Sequence, residues 1–229
     1  MAIRRKIKEK EQDLPILARY ELLERIDMLY NLRDKALVCF LYLTAARVEE
    51  VVRYVVTRNP GRTIQKSKKS AERISAPIIE TRTRGLPIKK KQIEEYENRF
   101  IVRGVRSLKR RREYNRDIPI MDVPEDKQFI DTLCDYLNTI DEDTPLFDIT
   151  RQRAYQILAS VELYPHYLRH IRITHMVREL GLSGADLKQF NGWASSRMAD
   201  NYTHLNLTDL INKMLGSRKQ SEQENEDGK

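Results

Sequence analysis

Most apolar residues of this 229-residue chain recur at helical spacing. Over residues 18–29, Leu22, Leu23, Ile26 and Leu29 mark a one-faced helix. Residues 34–44 are apolar nearly all round (Ala36, Leu37, Val38, Cys39, Phe40, Leu41, Leu43), as a buried central helix should be. Val48, Val51, Val52 and Val55 predict a third helix over 46–56. Pro124-Glu125-Asp126 opens a helix through Leu137, since proline and acids suit a first turn whose amides lack helical partners. Residues 151–158 give another, and 165–180 a longer one halted by Gly181. Ser183-Gly184-Ala185-Asp186 has capping-box spacing ahead of Leu187 and Phe190. A short helix containing Tyr202 and an amphipathic one over 205–215 complete the series. The polar run from Gly216 is expected to be disordered.

The period changes to two in the middle of the chain. Phe100-Ile101-Val102-Arg103-Gly104-Val105 and Arg116-Asp117-Ile118-Pro119-Ile120-Met121 bracket a basic connection, 106–115, and predict an antiparallel hairpin with a long charged tip. The fold class is therefore α+β, mostly α-helical, with a small antiparallel β-sheet or hairpin on one side. The interval 57–99, with Pro60-Gly61, Pro77 and Pro87, forms either extra strands or an insertion that contacts a binding partner. The sequence contains no repeat and no glycine-rich phosphate loop.

Charge sharpens this picture. The net charge is +8, but residues 58–116 hold 19 Lys/Arg against 6 Asp/Glu, leaving 23 against 28 elsewhere. Positive charge so concentrated points to a polyanion. Few aromatics interleave with the basic residues, so stacking on single strands fits less well than double-stranded DNA. Lys66, Lys68, Lys69, Arg106, Arg110, Arg111 and Arg112 are the candidate DNA contacts, the alternative being a solvated basic loop. Cys39 and Cys134 sit in apolar helical patterns and suggest reduced core thiols of a cytoplasmic protein. The N-terminus has no apolar signal region and no stretch approaches 18 apolar residues, which argues against secretion and membrane spanning.

Candidate chemistry gathers near the C-terminal end, in Pro165-His166-Tyr167-Leu168-Arg169-His170, Gly192-Trp193 and Asn201-Tyr202-Thr203-His204. A phenol beside fixed cationic donors is poorly equipped for acyl transfer. It suits attack on a phosphodiester, where charge builds on phosphate oxygens and the nucleophile becomes covalently attached. His166 and His170 have the i, i+4 spacing of zinc ligands. No H-E-x-x-H glutamate or nearby cysteine accompanies them, so neither metal nor other cofactor is expected.

Thr44-Ala45-Ala46-Arg47-Val48-Glu49-Glu50 after the apolar helix, His166-x-x-Arg169-His170, Gly192-Trp193 and Tyr202-Thr203-His204 together resemble the tyrosine recombinase family of phage-type integrases and Xer-type resolvases. The intervals are 3 (166 to 169), 24 (169 to 193) and 9 (193 to 202), and Thr174-His175 and Ser195-Ser196 also look like family text. The resemblance covers residues 14–215. It implies that Arg47 and Arg169 hold the non-bridging phosphate oxygens, a task for which paired, permanently charged donors suit guanidinium groups. Arg47 has a plainer alternative as a helix-start arginine paired with Glu49 or Glu50. By resemblance, His166 donates to the phosphate or handles the tyrosine proton. Trp193 offers its indole N–H where relatives often have His, contributing a hydrogen bond and packing but no proton transfer. Tyr202, alone among 11 tyrosines in having this context, attacks phosphorus to give a 3′-phosphotyrosyl bond and a free 5′-hydroxyl. The family's general-acid lysine lies on a β-hairpin; Lys109 occupies the hairpin tip, with Lys91 and the Lys66–Lys69 cluster as rivals.

The implied function is site-specific recombination: cutting and rejoining double-stranded DNA, with the chain assembling as a tetramer on the synapsed DNA. Alternatives are a topoisomerase IB-like nicking-closing enzyme and a catalytically silent DNA-binding regulator. Residues 1–13 read as a basic extension, 14–215 as the catalytic domain and 216–229 as a polar tail. Relatives usually carry a further N-terminal helical domain that clamps DNA, so an accessory protein supplying it is a possible partner. The helix over 205–215 resembles the element by which family members dock onto a neighbouring protomer, although packing onto its own domain is equally consistent with its pattern.

Overall fold

A computed structural model of the chain describes residues 15–58, 80–85, 87–107, 114–199 and 202, with side chains at all of these except 54–58 and 80–85. It is mostly helical with a three-stranded antiparallel sheet. The chain divides into two compact units, 1–169 and 170–229. The proposed N-terminal extension, the polar tail and the 205–215 helix lie outside the described residues.

The first unit is organised around its most apolar helix. Helix α1 (Arg19–Asp27) buries Leu22 and Ile26, one turn apart, and its entering amide at Ala18 donates to the Glu21 carboxylate at 2.6 Å. Helix α2 (Leu32–Thr44) begins where Asn31 Oδ1 accepts the Arg33 N–H, and every side chain from Ala36 to Thr44 is buried. Its aromatics pack on the second half of the unit. Tyr42 lies 4.6 Å from Phe129, and Phe40 meets Phe147 edge-on at 5.8 Å. Phe129 belongs to α4 (Lys127–Leu137), introduced by a 3₁₀ turn at Pro124–Asp126.

Helix α3 (Val48–Val51) is a single turn, shorter than the helix expected over 46–56. The backbone turns at Val52 and enters β1 (Tyr54–Arg58), which pairs antiparallel with β2 (Glu80–Gly85). The valine spacing fits a helix face, but Val51, Val52, Val55, Val56 and Thr57 are β-branched, with side chains that fit a pleated ladder better. The interval 57–99 therefore does contribute extra strands.

The central hairpin forms in the expected place and gains a third strand. Strands β3 (Ile93–Tyr96), β4 (Arg99–Arg106) and β5 (Asn115–Met121) pair in that order, all antiparallel. Along β5 exposure alternates strictly, so Arg116, Ile118 and Ile120 share the inward face. The register skips between Val102 and Val105, where Arg103 and Gly104 together face Asp117. Gly104 adopts φ 64°, and its N–H donates to Asp117 Oδ1 at 2.9 Å. Such a bulge bends the strand and re-aims the residues beyond it.

Helix α5 (Arg151–Ala159) is capped by Thr150, whose hydroxyl accepts the Arg153 N–H. Helix α6 (Pro165–Leu180) starts on its proline, matching expectation, and runs across the unit boundary. In the second unit, α7 (Gly184–Asn191) has the predicted capping box: Asp186 N–H donates to Ser183 Oγ at 3.3 Å, and Ser183 N–H to the Asp186 carboxylate at 2.8 Å. Gly192, at φ 63°, ends α7 in the left-handed conformation that glycine reaches without a Cβ penalty. A 3₁₀ turn (Ser196–Met198) comes next, and Tyr202 sits in a turn, its N–H donating to Ala199 O at 2.8 Å. Most of the short helix expected around Tyr202 falls outside the described residues.

Candidate functional site

One backbone turn leads into Arg47 and accepts a hydrogen bond from Arg169, the two candidate phosphate-binding arginines. Helix α2 ends at Ala45, which takes a left-handed conformation (φ 46°) although it is not glycine. Thr44 braces the turn from within: its hydroxyl donates to Phe40 O at 2.6 Å and accepts the Ala46 N–H at 3.2 Å. The chain thereby reverses just before Arg47, the first residue outside α3. Arg169 of α6, buried and 124 positions away from Ala45, donates its Nη1–H to the Ala45 carbonyl. Arg169 thus reaches back to the turn that leads into Arg47, although the two lie at opposite ends of the unit's sequence.

Arg47 is held by Glu50 and not by Glu49. Its Nη1–H donates to Glu50 Oε1 at 2.9 Å and its backbone N–H to Glu50 Oε2 at 3.1 Å. Glu49 instead faces Arg151 Nε at 3.0 Å. Glu50 has no exposed side-chain surface, and its Oε2 also accepts from Arg116 Nη2 of β5 at 2.8 Å. Burial pushes the Glu50 carboxyl up; the charge and hydrogen bond of Arg116, then those of Arg47, outweigh it and hold the group below its ordinary range. The Arg47 side chain is 16% exposed, so it combines a fixed base with an accessible surface. The ion pair of Arg47 with Glu50 thus leaves part of its guanidinium side chain accessible.

The second unit brings three aromatic groups together. The Tyr202 ring lies 5.1 Å from His170 and 5.9 Å from Trp193, stacked on the indole at 16°. Trp193 is buried and Tyr202 half-buried. His170 is half-buried one turn along α6 from His166; burial first, then the Arg178 charge, push its imidazole below the usual value and favour the neutral ring. His166 is exposed in the first turn of α6.

The basic candidates divide. Arg106 is exposed at the end of β4, where it pairs in register with Asn115. Lys66, Lys68, Lys69, Lys109, Arg110, Arg111 and Arg112 lie outside the described residues. Lys91, the rival general acid, has Nζ 2.7 Å from Asp143 Oδ1, and neighbouring Lys90 pairs with Glu142 at 3.2 Å. Among the described residues no group of three His, Cys, Asp or Glu side chains is arranged to hold a metal ion. None of the described helices is long and apolar enough to cross a membrane.

Two contributors escape a reading of the sequence. His170 draws notice there only for its zinc-like spacing from His166, whereas its ring packs on Tyr202. Arg116 reads only as part of a strand. The signal for it is present, since the alternation that sends Ile118 and Ile120 inward sends Arg116 with them.

The helical body, the three-stranded antiparallel sheet and the arginine-bearing turn after a buried helix make up a fold similar to that of solved recombinases. Among solved structures the chain is similar to XerA recombinase, with a TM-score of 0.53 and 20% identity over 90% of this chain and 64% of that one. It is also similar to the XerH site-specific recombinase bound to difH substrate in a pre-cleavage complex (TM-score 0.51, 15% identity, 86% of this chain and 53% of that one). A third likeness is to XerH bound to palindromic difH substrate in a post-cleavage complex (TM-score 0.52, 14% identity, 86% and 50%). The chain thus spans 50–64% of the length of these structures, and at such identities the likeness is one of fold. No protein-family model and no curated protein matches the sequence.

Proposed function

We propose that this chain is a site-specific DNA recombinase that cuts and rejoins double-stranded DNA through a 3′-phosphotyrosyl intermediate on Tyr202. The observation that carries this reading is the contact of Arg169 with the left-handed turn that leads into Arg47, whose guanidinium Glu50 holds in place. Guanidinium groups so held present charged donors to a phosphate with little reorganisation as charge develops on its oxygens. In this reading the two arginines bind the non-bridging oxygens and His166 donates to the phosphate. Trp193 packs against the nucleophile, and a lysine of the hairpin tip, Lys109, protonates the leaving 5′-oxygen. The bond energy stays in the phosphotyrosine, so an incoming 5′-hydroxyl reseals the strand without ATP or a metal. Synapsis of two duplexes calls for a homotetramer, and a separate protein is a possible source of further DNA contacts.

The arginine pair gives the direct test. In Arg47→Lys and Arg169→Lys a point charge replaces a planar fork of donors. We expect each to bind duplex DNA within about threefold of wild type while cleaving a nicked duplex at least about a hundredfold more slowly. Cleavage at the wild-type rate by both variants would refute the assignment.

A further inference from the structure

The geometry points to Arg116 as a positioning residue: through the carboxylate of Glu50 it fixes the Arg47 guanidinium and ties the basic hairpin to the arginine turn. This rests on the reading of Arg47 as a phosphate ligand. Arg116 stands one residue inside the end of β5, opposite Val105 and beside the pair Arg106–Asn115 that leads into the hairpin tip. Its side chain is 3% exposed and reaches inward to Glu50, 66 positions earlier. One carboxylate therefore takes three donors: the Arg47 guanidinium, the Arg47 backbone N–H and the Arg116 guanidinium. Displacing any of them frees the others to shift.

Arg116 is also a poor device for stability. Its Nε and Nη1 are buried and have no hydrogen-bond partner among the described residues. Leaving such donors unpaired costs free energy, and a buried ion pair adds little net stability over apolar side chains that replace both of its partners. A side chain whose contact is so incompletely satisfied fits a geometric role better than a cohesive one. Its place on the strand suits that role, because hairpin and phosphate site then share a single pivot.

Arg116→Met and Arg116→Lys separate these roles. The single contact through Nη2 is one that an ammonium group can replace. With a nicked duplex selected for binding to wild type, and at a temperature where every variant is fully folded, Arg116→Met should keep its affinity while its single-turnover cleavage rate falls between about tenfold and a hundredfold, the scale of a misplaced catalytic group. Arg116→Lys should recover most of that rate. A methionine variant that cleaves like wild type, or one whose rate falls only in step with lost stability and is not rescued by lysine, overturns the inference. Amide hydrogen exchange is read on the same three proteins. Exchange across 46–50 should quicken in Arg116→Met and return towards wild type in Arg116→Lys, while unchanged exchange also overturns the inference. If wild type cleaves no DNA, the recombinase reading fails, and the exchange result still decides whether Arg116 orders the Arg47 turn.

Discussion

At the scale of the residue, Glu50 is the group on which most geometry converges. Its folded carboxyl lies below the ordinary carboxylate range, so it binds fewer protons than the unfolded chain as pH drops. The stability it contributes is present above the unfolded value of about 4.5 and is lost as pH falls through the lower folded value. Glu50→Gln should accordingly show a shallower decline of melting temperature with acid than wild type, with the curves converging below that window. Parallel curves in a pH series of thermal melts would contradict it. The Arg-x-x-Glu spacing is visible in the sequence, which leaves Arg47 open between Glu49 and Glu50; the structure selects Glu50 because Arg151 occupies its neighbour. Arg116 is not legible there as a partner. Its contact depends on strand register and on which face of β5 turns inward, neither of which is encoded near Glu50 in the chain.

At the scale of the element, the turn between α2 and α3 sets the site. Thr44 supplies two hydrogen bonds there from a buried position, one to Phe40 and one from Ala46. Thr44→Val keeps the shape and removes both, leaving the Ala46 amide without that acceptor. We expect a loss of about 1–3 kcal/mol in chemical denaturation, the usual cost of unmaking buried hydrogen bonds. No measurable change would mean that the hydroxyl does not brace the turn. Elements with a long one-sided pattern or an end signal are readable: α2, α4, α5, α6 and the Ser183 cap lie within a few residues of their expected bounds. Residues 46–56 mislead because a valine spacing of three and four suits a helix face, whereas β-branching and pairing with β2 favour a strand. The bulge at Gly104 is hidden for a related reason: a one-residue irregularity does not disturb the apolar alternation enough to be seen.

At the scale of the whole molecule, charge distribution and site arrangement have to work together. The +13 excess between residues 58 and 116, from 19 basic against 6 acidic side chains, predicts binding to duplex DNA dominated by release of counterions. Affinity should fall by orders of magnitude between about 50 mM and 200 mM salt. A dissociation constant that hardly changes over that range would show that the basic segment does not carry the binding. The four motifs are legible because each lies within a short stretch of chain, whereas the contact of Arg169 with Ala45 within the first unit joins residues 124 positions apart.

In the proposed reaction Tyr202 becomes bonded to a DNA end. This step is tested by incubating wild type and Tyr202→Phe with a library of duplexes that carry a randomised site and a nearby nick. Denaturation-resistant adducts are then digested and mapped by mass spectrometry. The account predicts a nucleotide attached to the peptide containing Tyr202 in wild type and no adduct with the phenylalanine variant. An adduct on another residue, an adduct that survives Tyr202→Phe, or duplex binding without any covalent product would contradict it, the last leaving a DNA-binding protein on a recombinase fold.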